Sequence, residues 1–67
     1  MAGYHIIYTT AEGKGTAFYM FEDTKSDAEL LEFCKNDGHD AVTISATLET
    51  NDDTTQEQVT AFYNDNY

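Results

Sequence analysis

The first part of the chain contains two short segments with apolar residues on both faces of an extended chain, which is typical of β-strands covered on both sides. The first such segment is residues 4–10, where aromatic and β-branched residues favour an extended conformation. A second segment covers residues 16–22. The intervening turn, residues 11–15, contains Gly13 and Gly15, which can supply positive φ. We therefore predict a β-hairpin with two largely apolar faces. In its first strand, one face carries Tyr4, Ile6 and Tyr8, and the other carries His5, Ile7 and Thr9.

Helical spacing begins at Ser26, which forms a capping-box signature with Glu29 three residues later. On a helical wheel, one arc holds the apolar residues Leu30, Leu31, Phe33 and Cys34. Gly38 suits the left-handed position that ends a helix. These residues predict a short amphipathic helix with one buried face.

Apolar and polar residues alternate in residues 40–48, which predicts a third strand. Its apolar positions are Val42, Ile44, Ala46 and Leu48, and the polar positions between and after them are Thr43, Ser45, Thr47 and Glu49. The strict period of two predicts that all four apolar side chains share one face.

A second short helix is predicted after a polar loop, residues 49–53. Thr54 and Glu57 repeat the capping-box signature. The apolar stripe that follows consists of Val59, Phe62, Tyr63 and Tyr67. A helix of about twelve residues is marginal alone, so it must dock on the rest of the domain. The sheet face left uncovered by the first helix is the natural site.

Together these elements predict one small α+β domain, residues 1–67, with the order β-β-α-β-α. The crossover through the first helix makes the second and third strands parallel to each other. The simplest three-stranded sheet then has the order 2-1-3, with the first strand in the centre and antiparallel to both neighbours.

The net charge and its distribution indicate which kinds of partner the protein can bind. The chain has 3 lysines, no arginine and 13 acidic residues, for a net charge of −10. Residues 1–21 contain only Glu12 and Lys14, so residues 22–67 carry the whole excess. Such a field repels nucleic acid and anionic membranes and attracts basic protein surfaces. We therefore expect a protein partner and no direct binding of DNA, RNA or membrane.

Three local patterns could suggest chemistry, but each has a simpler interpretation. Gly13-Lys14-Gly15 lacks the spacing of a nucleotide-binding loop and fits a hairpin turn. Cys34 and His39 fit a core cysteine and a surface histidine better than a reactive pair or a zinc site. The oxygen-rich group Asn51, Asp52, Asp53 and Glu57 lacks the calcium-loop pattern and fits loop and cap chemistry. We expect no cofactor, no metal and no enzymatic activity.

The N-terminal residues lack the basic and long apolar regions of a secretory signal, and the single cysteine fits a cytoplasmic protein.

An excess of acidic residues often serves only to keep a protein solvated. The functional hypothesis is that carboxylates imitate nucleic-acid phosphates and occupy a basic site on a nucleic-acid-binding protein, as a small virus-encoded inhibitor in the host cytoplasm could do. The candidate partner-binding residues are Glu22, Asp23, Asp27, Glu29, Glu32, Asp37, Asp40, Glu49, Asp52, Asp53 and Glu57, with Asp65 extending the field.

The hairpin supports an alternative of a different kind. Five of the nine aromatic residues lie in the neutral segment 1–21, namely Tyr4, Tyr8, Phe18, Tyr19 and Phe21. Aromatic residues are favoured in interface cores, although a small chain also needs them inside. The alternative function is therefore a structural or assembly subunit that associates through this hairpin, for example as a homodimer.

Overall fold

The computed structural model describes residues 2–67, and its elements follow the predicted order. The bounds are β1 Ala2–Thr10, β2 Gly13–Phe21, α1 Asp27–Asn36, β3 Thr43–Thr50 and α2 Gln56–Asn66. The sheet has the order β2-β1-β3, and β1 pairs antiparallel with both neighbours. The predicted α+β fold and strand order are confirmed.

The hairpin loop is shorter than the predicted turn of residues 11–15. Thr10 pairs directly with Gly13, so only Ala11 and Glu12 connect the strands. Gly13 has the positive φ that the sequence predicts, at 153°. Gly15 instead lies inside β2 opposite Tyr8, where a Cβ atom would overlap the tyrosine ring. This glycine therefore provides space for a core side chain.

Local signals fix both ends of α1. The Ser26 hydroxyl accepts from the Glu29 N–H at 3.3 Å, and the Glu29 carboxylate accepts from the Ser26 N–H at 3.1 Å. At the other end Gly38 has φ 85°. The His39 N–H donates to the Cys34 carbonyl at 3.1 Å, and the Gly38 N–H donates to the Lys35 carbonyl at 3.3 Å. This pair of bonds is a Schellman motif, which satisfies carbonyls that the helix leaves open.

The core lies between α1 and one face of the sheet. Leu30 and Cys34, one turn apart on α1, pack against Tyr4, Ile6 and Tyr8 of the central strand. All five side chains are buried, as the pattern predicts. Phe33 is the exception on the predicted apolar arc, because it lies at the rim and remains 42% exposed.

A β-bulge overturns the prediction that the four apolar residues of the third strand share a face. Ile7 pairs with Ala46 and Tyr8 pairs with Ile44, so Ser45 has no partner on β1. Ile44 therefore lies on the α1 face with Tyr8, whereas Ala46 and Leu48 lie on the opposite face with Ile7 and His5. Val42 precedes the strand, which begins at Thr43 instead of residue 40, and is 56% exposed.

The second helix begins one residue later than the predicted capping box. Thr55 is the N-cap, and Gln58 completes the box through bonds of 3.2 Å and 2.8 Å. The Thr54 hydroxyl is used elsewhere, because it accepts from the Asn51 N–H at 2.9 Å in the preceding turn. A Thr54–Glu57 box is therefore wrong, although the helix itself is present.

Docking of α2 follows the predicted face. Its Tyr63 contacts His5, which lies on the sheet face opposite the buried Tyr4. The α2 side chains Val59, Phe62 and Tyr63 are only partly buried, and Tyr67 is 61% exposed. Ile7 on the same face is nevertheless completely buried, so the centre of this face is covered and only its periphery is open. Within residues 2–67, neither helix has the length and apolar character needed to cross a membrane.

Candidate protein-interaction surface

All eleven acidic residues predicted to bind a partner have exposed side chains. They occupy three regions of the fold. The first, here called the α1 acidic surface, consists of Glu22, Asp23, Asp27, Glu29, Glu32 and Glu49, on α1, the segment before it and the adjacent strand β3. The second contains Asp37 and Asp40 at the far end of α1. The third, here called the loop acids, consists of Asp52, Asp53 and Glu57.

Few of these charges are neutralised within residues 2–67. In this part of the chain the one ion pair joins Asp37 Oδ2 and His39 Nε2 at 3.5 Å, and it exists only when the imidazole is protonated. None of the three lysines contributes to it. Lys14 donates to the main-chain oxygen of Tyr67 at 2.7 Å, and the Lys25 ammonium lies 5.4 Å from the centre of the Phe21 ring. The acidic field is therefore directed outward, where a basic partner can reach it.

The crossing of α1 and β3 brings the α1 acidic surface together. The Tyr4 hydroxyl donates to Glu49 Oε1 at 2.9 Å and accepts from the Lys25 N–H at 2.8 Å. Burial raises the pKa of Tyr4, the Lys25 bond opposes this rise, and the nearby Glu49 and Glu29 carboxylates add to it. Asp27 lies 3.5 Å from the Thr47 hydroxyl of β3. A buried tyrosine thus links Glu49 of β3 to the backbone directly before α1.

Glu29 has a structural role in addition to its charge. Its carboxylate accepts bonds from the Ser26 N–H and from the Ser26 hydroxyl at 3.2 Å. These bonds, with help from Lys25, lower the pKa of Glu29. Charge reversal at Glu29 would therefore disturb the helix as well as the surface. Asp23 and Glu32 accept no hydrogen bond within residues 2–67 and are better positions for testing binding.

At the far end of α1 the acids belong to an aromatic network that the sequence does not reveal. His39 Nδ1 lies 3.0 Å from the Tyr8 hydroxyl, and the Tyr19 hydroxyl donates to Asp37 Oδ2 at 2.9 Å. Burial, and then the bond to Asp37, raise the pKa of Tyr19. His39 is half-buried, in contrast to the predicted surface histidine. One feature of the sequence could have indicated this burial: His39 directly follows Gly38, and the Schellman turn at Gly38 directs the histidine back toward the sheet.

A surface depression of about 440 Å³ lies beside this network. Its lining consists of Tyr8, Thr10, Ala11, Glu12, Gly38, His39 and Asp40. Both ring nitrogens of His39 face other side chains, Tyr8 and Asp37, so the imidazole is held in place by both. The depression extends the acidic surface through Glu12 and Asp40, and it brings together residues of the hairpin loop and the α1–β3 connection.

Within residues 2–67, the loop acids make no hydrogen bond or ion pair with the residues of the other two regions. The Asn51 side chain accepts from the Asp53 N–H at 2.8 Å, and the Thr54 N–H donates to the Asn51 carbonyl at 3.1 Å. These bonds form a tight turn before α2.

Within residues 2–67, no group of three or more histidine, cysteine or acidic side chains is placed to hold a metal ion. Cys34 is buried in the core, and burial raises the pKa of its thiol.

The hairpin presents a second, apolar surface. Phe18 and Met20 lie on the α2 face of β2 and are 49% and 57% exposed. Phe18 packs against His5 in a tilted arrangement, with ring centres 4.5 Å apart, but much of its ring remains exposed. On the other face, Phe33 contacts Phe21 at 4.8 Å between ring centres. The predicted apolar hairpin is therefore only partly covered by the helices.

Comparison with protein-family models, with curated proteins and with solved structures finds no match to this chain.

Proposed function

We propose that this protein is a non-enzymatic inhibitor that uses its carboxylates to occupy a basic site on a nucleic-acid-binding protein. The observation that carries the proposal is the exposed and largely unpaired state of the acids on and around α1. Carboxylates that face solvent keep their charge available to a partner. Carboxylates paired with lysines of the same chain would be neutralised, so they would attract a basic groove less strongly.

The density of charge supports mimicry of nucleic acid. The longest dimension of the backbone is 34 Å and the net charge is −10, which gives a mean spacing of about one charge per 3.4 Å. One strand of B-DNA carries about one phosphate per 3.4 Å of helix axis. This average counts charges on all faces of the protein, and a groove that contacts the α1 acidic surface meets six of the thirteen carboxylates.

Within this field, we assign direct contact to the α1 acidic surface and long-range attraction to the loop acids. The α1 acidic surface combines residues of two packed elements, which the Tyr4 hydroxyl holds in position through Glu49. The loop acids lie on a turn and on the first residues of α2, which has no fully buried side chain. Pre-positioned charges lose less side-chain freedom on binding than mobile ones, so they contribute more to affinity.

Two variants with the same change in charge test this assignment. Asp23→Asn with Glu32→Gln alters the α1 acidic surface, and Asp52→Asn with Asp53→Asn alters the loop acids. We expect the first pair to speed dissociation of the target complex and to weaken affinity on the order of tenfold or more. The second pair should mainly slow association. Equal effects of the two pairs on dissociation would contradict the assignment of contact to α1.

A second candidate function is favoured by the exposure of Phe18 and Met20. In that case the chain is a structural or assembly subunit, and its acidity serves solvation. Salt separates the two functions, because screening weakens a charge-driven complex and leaves an apolar one nearly unchanged. A partner that is retained at high salt would favour the subunit.

A further inference from the structure

The outer edge of β2 lacks most of the features that protect sheet edges from pairing with other strands. The strand is nine residues long and pairs with β1 residue by residue, with no bulge. It contains no proline and a single charged residue, Lys14. The other edge, β3, differs because it has the bulge at Ser45 and carries Glu49. Of the two edges, β2 is thus the one open to strand addition.

We propose that two copies of this chain pair antiparallel through their β2 edges to form a continuous six-stranded sheet. Charge favours a second copy as the occupant. Residues 13–21 hold none of the 13 acids, so two highly acidic molecules approach each other here with the least repulsion. The proposal does not depend on which of the two functions is correct.

One register satisfies both the charges and the apolar residues of this edge. In this register, the Phe18 residues of the two copies face each other across the two-fold axis, and the residue numbers of every opposing pair sum to 36. Lys14 therefore faces Glu22 of the second copy, and Thr16 faces Met20 of the second copy. Glu22 directly follows the last residue of β2, and Lys14 is near the beginning of the strand. Each dimer then contains two opposite-charge pairs, one on each side of the central phenylalanines.

The same register covers exposed apolar surface. Phe18, 49% exposed, and Met20, 57% exposed, lie on one face of β2 and would continue across the dimer as one apolar row. Lys14 already donates to the main-chain oxygen of Tyr67. An ammonium group has three donors, so this bond leaves two for the glutamate of the second copy.

Charge reversal tests both the dimer and its register. Sedimentation over a range of concentrations should show a reversible monomer–dimer equilibrium for the unmodified chain. Lys14→Glu and Glu22→Lys should each weaken the dimer about tenfold or more, because each creates two like-charge pairs. The double variant restores both pairs and should dimerise like the original chain.

Matched controls remove the effect of net charge. Lys35→Glu and Glu57→Lys make the same two changes in charge on the helices, away from the β2 edge, and should leave the dimer within about threefold of the original chain. Circular dichroism checks that each variant is folded. A monomer at all concentrations, equal effects of the controls, or failure of the double variant to recover would each overturn the proposal.

An isotope-filtered NMR experiment tests the register without any substitution. In a mixture of labelled and unlabelled protein, we expect intermolecular contacts between the methyl groups of Thr16 and Met20 and between the rings of Phe18. Intermolecular contacts confined to the exposed Val42 and Phe33 would place the interface on the α1 side and refute β2 pairing. An absence of intermolecular contacts at millimolar concentration would refute it as well.

Discussion

His5 Nδ1 and the Tyr63 hydroxyl lie 2.9 Å apart across the interface between the sheet and α2. The two rings meet edge to face, with centres 5.5 Å apart, and Phe18 covers the other side of the imidazole at 4.5 Å. This contact accompanies the apolar packing that completely buries Ile7 on the same face of the sheet. A titratable group within this interface makes its stability dependent on pH.

Acidification should therefore loosen α2. Burial lowers the pKa of His5 below its ordinary value near 6.5. The unfolded chain thus binds a proton that the folded chain resists, and stability falls as the pH decreases from about 6.5 through the lower folded pKa. We expect the melting temperature of the original chain to fall between pH 7.5 and 5.5.

The His5→Phe variant should lose most of this dependence, because it keeps the aromatic contacts and cannot be protonated. His39→Gln removes the other histidine and is the matched control. The lowered pKa of Glu29 acts in the same direction but at lower pH, and it does so in all three proteins. An unchanged pH dependence in His5→Phe would show that His5 is not the responsible group.

Loss of the first cap should destabilise α1 measurably. In Ser26→Ala the Glu29 N–H loses its acceptor, and the carboxylate of Glu29 loses the hydroxyl donor. We expect the free energy of unfolding to decrease by about 1 kcal/mol, within the usual range for N-cap removal. Urea denaturation provides the measurement. Ser45→Ala, at the exposed bulge position, should change the same quantity by less than about 0.5 kcal/mol.

Gly15→Ala should be more damaging than a typical surface substitution. The new methyl group would overlap the ring of Tyr8, which is only 7% exposed and is held by His39. Displacing a packed side chain costs about 1–3 kcal/mol. Thr16→Ala, the next residue along the strand and exposed, is the control. If the two variants unfold at the same urea concentration, Tyr8 can move away without cost.

Salt should stabilise the fold. The acids repel one another, and within residues 2–67 a single histidine–aspartate pair is close enough to offset this repulsion. Screening at 0.2 M salt should raise the melting temperature above its value at 0.02 M salt, because the Debye length falls to less than about 10 Å. A melting temperature that falls with added salt would show that attractive pairs dominate.

The parts of the fold that the sequence predicts are those with local causes. Ser26, Glu29 and Gly38 define α1 within one stretch of chain, and the bonds they make depend on nothing distant. The order of the strands follows from the chirality of the crossover and from the short hairpin. These predictions hold because each of them rests on backbone chemistry that neighbours in sequence complete.

The incorrect predictions about β3 and α2 have different causes, one non-local and one local. The bulge at Ser45 depends on how β3 aligns with Ile7 and Tyr8 of a distant strand, and alternation within β3 cannot show it. The first residue of α2 could not be identified from the sequence, because Thr54 and Thr55 are both possible N-caps. Both Thr54 and Thr55 have a suitable partner three residues later, and the turn at Asn51 engages Thr54.

The candidate surface was predictable in composition but not in arrangement. Exposure of the acids follows from their charge, since buried carboxylates are rare. The position of Glu49 beside α1, next to the hydroxyl of Tyr4, follows from the bulge. In a strand of unbroken alternation Glu49 would lie on the face opposite Ile44, whereas the bulge at Ser45 places both residues on the α1 face. Sequence patterns alone therefore could not identify which acids share a surface.

Competition between nucleic acid and this protein for one target tests the central claim most directly. The immobilised chain would be exposed to a lysate, and the retained proteins eluted with salt or with added DNA or RNA. We expect that a nucleic-acid-binding protein is retained at low salt, is released by nucleic acid, and is retained poorly by Asp23→Asn with Glu32→Gln. Retention of only those partners that nucleic acid does not displace, or of none, would contradict it.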